Sequence, residues 1–110
     1  PGDKNNLQRL FKIWELLPDE LEFTILEVII ETEMNTHNYF LFDETNLKES
    51  TSSMARTTGY TASATIDILA QNIFIEKGVF PPEIVGSKSK VVDYLVNHLR
   101  ERDIFLKKII

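Results

Sequence analysis

A chain of 110 residues is long enough for one domain with one modest core. Its apolar fraction of 43%, charged fraction of 26% and net charge of −5 describe an ordinary globular chain. They argue against a dedicated nucleic-acid binder, which needs a Lys/Arg-rich face. The absence of cysteine removes disulfides, thiolate nucleophiles and Cys-based metal sites together, and fits a cytoplasmic setting. Glu27 and Glu31 break the longest apolar run, so no membrane span is expected, and the N-terminus carries no signal-peptide pattern. A start at Pro1 rather than Met reads as a piece of a longer protein.

In chain order, Asn5 or Asn6 can cap a first helix over about 6–17. Leu7, Leu10, Phe11, Trp14 and Leu17 recur at helical spacing and Pro18 stops it. On this pattern the single tryptophan is a core anchor. Residues 22–33 and 37–43 read as two strands of an antiparallel hairpin joined at Met34-Asn35-Thr36. The first strand is two-sided. Thr24, Leu26, Val28, Ile30 and Thr32 lie on one face, and Phe23, Ile25, Glu27, Ile29 and Glu31 on the other. Such a strand suits partial cover by another sheet or subunit. Residues 43–51 are polar and form a loop.

The main helix is expected over about 53–72, capped by Ser52 or Ser53. Ala62, Ile66, Leu69 and Ile73 mark its apolar stripe, and its small residues (Ala55, Gly59, Ala62, Ser63, Ala64) suggest close approach of another backbone. It ends at Asn72 in a left-handed turn or runs to Gly78. Pro81-Pro82 gives a stiff extended connection. A third helix over about 88–101 starts at Ser87 or Ser89 and carries Val92, Leu95, Val96 and Leu99 on one side. Ile104–Ile110 is a short strand or a frayed tail. The fold class is α+β: a small antiparallel sheet covered on one face by three helices.

Self-sufficient catalysis is hard to build from these residues. The four glycines lie too far apart for a dinucleotide fingerprint or a phosphate loop. His37 reads as a strand edge and His98 as helix surface, and neither has metal-ligand spacing. Glu27 and Glu31 read as a solvated or interface stripe. Arg56 is the better candidate. It sits in a helix's first turn, where free N–H groups attract anions, and offers a bidentate carboxylate donor. The plainer reading pairs it with Asp43 or Glu44.

Met54-Ala55-Arg56-Thr57-Thr58-Gly59-Tyr60-Thr61-Ala62, followed by Glu76-Lys77-Gly78-Val79-Phe80-Pro81-Pro82-Glu83, resembles the C-terminal part of the saccharopine dehydrogenase-like family. Trp14–Pro18 and Phe23–Val28 are similar to the family's lead into its last sheet, and the likeness runs from about Leu7 to Phe105. The resemblance implies an NAD- or NADP-dependent oxidoreductase acting on an amino acid or its secondary-amine conjugate. Saccharopine reductases, lysine dehydrogenases and carboxynorspermidine dehydrogenases are the nearest functional types. It further implies an N-terminal nucleotide-binding domain, absent from this chain, and a homodimer contact in the second domain. By the same analogy Arg56, Thr57, Thr58, Gly59 and Tyr60 face a small amino-acid-like substrate in the interdomain cleft. Arg56 would hold a carboxylate, Thr57 and Thr58 would donate, and Gly59 would allow close approach. Asn72 and Asp103 stand where the family often has glycine. Both tolerate the left-handed conformation, so the turns are expected to persist. The alternative reading is a non-catalytic assembly domain with its surface on the first strand and a merely structural Arg56.

Overall fold

The structure, a computed structural model, describes residues 4–15, 17 and 20–109. The chain is α+β. Helix α1 (Lys4–Trp14) precedes strands β1 (Phe23–Glu31) and β2 (Thr36–Glu44). Helices α2 (Ser53–Ala70), α3 (Pro82–Gly86) and α4 (Ser89–Arg100) follow, then strand β3 (Leu106–Lys108). The sheet is antiparallel in the order β1-β2-β3, leaving β1 and β3 as edges.

The hairpin forms as expected, in the register Glu31↔Thr36 to Phe23↔Glu44. Thr32 and Asn35 close its turn. The Thr32 N–H and hydroxyl both donate to the Asn35 carbonyl, at 2.8 and 2.9 Å, and the hydroxyl accepts from the Asn35 N–H at 2.9 Å. A short polar side chain thus does here what a tight backbone turn does elsewhere. Within the last segment Leu106–Lys108 forms a strand, and Ile104 before it is fully buried.

Two apolar clusters hold the body together. Leu41, Leu99 and Ile104 join β2 to the end of α4, with Tyr60, Leu95 and Leu106 against them. Ile68, Phe74 and Val91 join α2, the loop after it and α4, with Phe80, Val85 and Tyr94 alongside. Gly78 in that loop has φ 145°, and a Cβ there would come within 3.3 Å of the Phe80 ring. Glycine is therefore required at this turn.

Several expectations are corrected. Helix α1 ends at Trp14 and buries none of its residues, so Trp14, 70% exposed, is no core anchor. The expected stop at Pro18 lies outside the described residues, and Asn5 and Asn6 sit inside the helix rather than capping it. On α2 the buried positions are Ser53, Arg56, Ala64 and Ile68, while Ile66 and Leu69 are exposed. The apolar residues alone misplaced the inward face because polar side chains occupy half of it. Nothing approaches Gly59, where a Cβ would meet open space. Pro82 begins a short helix, since proline is pre-set for a first helical turn. Helix α4 has Lys88 at its N-cap with no side-chain bond, and Ser87 instead donates to the Ile84 carbonyl at 2.7 Å.

Candidate functional site

The site is built where the start of α2 meets the sheet. Thr24 and Asp43 are direct partners across β1 and β2, so their side chains share one sheet face. Ser53, fully buried, places its Oγ 2.8 Å from both Thr24 Oγ1 and Asp43 Oδ2. A carboxylate only accepts, so the Ser53 proton goes to Asp43 and the Thr24 hydroxyl donates to Ser53. Arg56 follows one helical turn on. Its Nε lies 3.3 Å from both Asp43 oxygens and its Nη2 lies 3.2 Å from Oδ1. Nη2 also donates to the Arg102 carbonyl at 2.9 Å, at the end of α4.

Both charges are buried, with side chains 6% and 4% exposed. Their partners make that burial tolerable: Asp43 receives hydroxyl and guanidinium donors, and Arg56 gains a carbonyl acceptor. One arm of the guanidinium stays loosely engaged. Nη1 makes a 4.0 Å ion pair with Glu49, whose side chain is 59% exposed. This arm borders an open polar recess lined by Glu44, Asn46, Lys48 and Asp103.

The loop carrying Glu49 is ordered by Asn46. Its Oδ1 accepts from the Lys48 and Glu49 N–H groups at 3.0 and 3.2 Å, and its Nδ2 donates to Glu49 Oε2 at 3.2 Å. Ser50, at φ 49°, precedes Thr51, whose backbone pairs with Asn46 to close the loop.

The anion-attracting start of α2 is already occupied from within. Ser52 is the N-cap and accepts from Ala55 N–H at 3.1 Å. The Glu22 carboxylate accepts from Met54 N–H at 2.7 Å. No local sequence signal marks Glu22 for this role. It lies far from Met54 along the chain, and only the Thr45–Glu22 backbone pairing brings it there.

The five residues expected to meet substrate therefore separate. Arg56 points inward. Thr57 is half-buried, with its hydroxyl donated to the Ser53 carbonyl at 2.9 Å. Thr58 and Gly59 face outward. Tyr60 is half-buried under two guanidinium groups, with Arg56 Cζ 5.8 Å and Arg102 Cζ 5.4 Å from its ring centroid. Cations over a tyrosine face add to the tie between α2 and the end of α4.

His98 is buried, not on the helix surface as expected. Its Nε2 lies 3.0 Å from Ser63 Oγ and its Nδ1 3.6 Å from Asp67 Oδ2. The trio has the residue types of a nucleophilic triad. The Ser63 hydroxyl lies 3.0 Å from the Tyr60 carbonyl as well as 3.0 Å from Nε2, so its proton has two acceptors to choose between. The trio joins α2 to α4. No sequence spacing reveals it, because Ser63 and Asp67 find His98 only once the helices pack. Among the described residues no group of His, Asp and Glu could hold a metal ion, and no helix is long and apolar enough to cross a membrane.

Fold, elements and site order together set the class: a small α+β domain with a braced helix start beside an open recess. The saccharopine dehydrogenase C-terminal domain model matches residues 6–104, and the chain belongs to that family. No curated protein and no solved structure matches it. The family places the chain in a dehydrogenase-like protein with an N-terminal domain and implies a dinucleotide cofactor in that parent. Among the described residues no glycine-rich strand-to-helix turn is present to hold such a cofactor. Gly59, Gly78 and Gly86 lie within α2, in the loop after it and at the end of α3, never on one strand-to-helix turn.

Proposed function

We propose that the chain is the substrate-side domain of an NAD(P)-dependent oxidoreductase acting on an amino acid or its secondary-amine conjugate. The parent is read as cytoplasmic. Residues 1–110 form the substrate and oligomer domain, and the parent's own N-terminal domain holds the nucleotide across a cleft. The hydride chemistry belongs to the cofactor, and the work of this chain is to bind and orient. The exposed faces of β1 are covered by that N-terminal domain.

The observation that carries the reading is the unequal use of Arg56. Nε and Nη2 are fixed by Asp43 and the Arg102 carbonyl, while Nη1 meets only an exposed carboxylate at 4.0 Å. A substrate carboxylate displacing Glu49 would take that arm without disturbing the buried pair. The recess beside that arm, lined by Glu44, Asn46, Lys48 and Asp103, leaves room for the rest of the ligand, with Lys48 as a second cation. Thr57, Thr58, Gly59 and Tyr60 do not line that recess, and their proposed role is to shape the same helix turn toward the cleft.

The test is Glu49→Ala in the parent enzyme. Removing an exposed competitor should lower KM for a carboxylate-bearing substrate severalfold while kcat and fold stability stay unchanged. An unchanged KM would leave Arg56 with a purely structural role. Exposure of both β1 faces favours a second reading, a non-catalytic assembly domain. That reading gains if the parent binds neither NAD nor NADP.

A further inference from the structure

The loop between β2 and α2 lies beside the open arm of Arg56, because the strand carrying Asp43 and the helix carrying Arg56 are its two ends. Mutual backbone bonds close it. Asn46 N–H donates to the Thr51 carbonyl at 2.9 Å, and Thr51 N–H donates to the Asn46 carbonyl at 3.1 Å.

Inside this loop Glu49 is held at its N–H, its carbonyl and its carboxylate. The N–H donates to Asn46 Oδ1 at 3.2 Å, and the carbonyl accepts from the Thr51 hydroxyl at 3.0 Å. The carboxylate accepts from Asn46 Nδ2 at 3.2 Å, through Oε2. That same oxygen is the one 4.0 Å from Arg56 Nη1. Fixing a long, exposed side chain costs rotamer entropy, and an exposed ion pair of this length returns little of it. Arg56 alone therefore does not hold Glu49 in place. Asn46 does, with one side chain that shapes the loop through Oδ1 and aims the carboxylate through Nδ2.

We infer that Asn46 is a positioning residue of this site: its Nδ2 keeps the Glu49 carboxylate against Nη1, so an internal carboxylate occupies the open arm until a ligand's carboxylate replaces it. The inference rests on the reading of Arg56 given above. The exchange leaves the loop intact. The displaced carboxylate gives up one hydrogen bond and one weak ion pair, while the backbone pairing with Thr51 and the two N–H bonds to Asn46 Oδ1 stay made. The recess also carries the Glu44 and Asp103 carboxylates, so a ligand with an ammonium group beside its carboxylate meets opposite charges there.

Free glycine is the probe. It has both groups, and as a zwitterion it leaves the ionic strength unchanged through a titration. Binding to this chain is followed at the Arg56 guanidinium by nuclear magnetic resonance. Four forms are compared: the unaltered chain, Asn46→Ser, Glu49→Ala and the double variant. A serine hydroxyl still accepts from the loop N–H groups but has no amide to aim Glu49. Each single variant should bind glycine more tightly, by up to about fivefold, the range of an exposed ion pair. Adding Asn46→Ser to Glu49→Ala should change nothing, because Asn46 acts through Glu49. Asn46→Asp, which retains the turn's acceptor in full, should show the same dependence on Glu49. If Glu49→Ala tightens binding and Asn46→Ser does not, the inference is overturned while the reading of Arg56 stands. An equal effect of Asn46→Ser with and without Glu49 also overturns it, since Asn46 then acts only on loop structure. If Glu49→Ala leaves binding unchanged, or no form binds glycine, the reading of the open arm fails and the inference with it.

Discussion

At the scale of single residues, Asp43 and Arg56 dominate. Each is buried, and each is acceptable only because the other is present. Removing one partner leaves an uncompensated buried charge, which costs about 3–5 kcal/mol. Arg56→Ala and Asp43→Ala should therefore each lower unfolding stability by that order. The double variant should cost much less than the sum, and denaturant melts in a double-mutant cycle check this. Strict additivity would show that the pair is not coupled. Arg56→Lys is not a conservative change here, since an ammonium cannot reach Asp43 and the Arg102 carbonyl in the same fork geometry.

At the scale of elements, the ends of α2 and α4 are built alike. After α2, Asn72 has φ 56°, Ile73 N–H donates to Ile68 O at 2.9 Å and Asn72 N–H to Leu69 O at 3.1 Å. After α4, Asp103 has φ 61°, Ile104 N–H donates to Leu99 O at 3.0 Å and Asp103 N–H to Arg100 O at 3.1 Å. These are two Schellman closures with the left-handed position held by Asn and Asp instead of Gly. The turns expected at both positions are present. Both side chains are exposed, so glycine there removes only the left-handed strain. Asn72→Gly and Asp103→Gly should each raise stability by up to about 1 kcal/mol, whereas Asn72→Val should cost about 1–2 kcal/mol. Thermal melts decide it, and a destabilising Asn72→Gly would refute the strain argument.

At the scale of the whole molecule, the body is small and much of the apolar surface is uncovered. Phe23, Ile25, Val28, Ile29 and Ile30 of β1 are exposed, alongside the stripe of α1. A monomeric chain rarely leaves so many large apolar side chains of one strand uncovered without a partner. The folded chain should bind a hydrophobic dye such as ANS, and the parent protein with its N-terminal domain should bind much less per domain. Equal dye binding would mean that the rest of the parent does not cover β1.

Much of this was legible in the chain itself. The hairpin followed from β-branched runs around Met34-Asn35-Thr36, α2 from its serine cap, and the left-handed turn at Asn72 from its residue type; the one at Asp103 was expected only from the family resemblance. These are local effects, fixed by backbone preference and short-range hydrogen bonds. The family block around Arg56 was legible too, and Asp43 was already a candidate partner. What periodicity misjudged was burial. It made Trp14 a core residue, because a stripe shows that a helix has an apolar side but not that anything covers it. It placed His98 on the surface and chose Ile66 over Ser53 and Arg56 as inward residues, because polar side chains can be buried only with partners that lie far away in sequence. Glu22 at Met54, Ser63 and Asp67 at His98, and the Arg102 carbonyl at Arg56 all meet through tertiary packing alone. The sequence by itself determined the hairpin and the start of α2, which rest on local backbone preference and short-range hydrogen bonds; the tertiary structure decided which charges are satisfied inside, and so holds Arg56 by Asp43 and the Arg102 carbonyl with Nη1 alone loosely engaged.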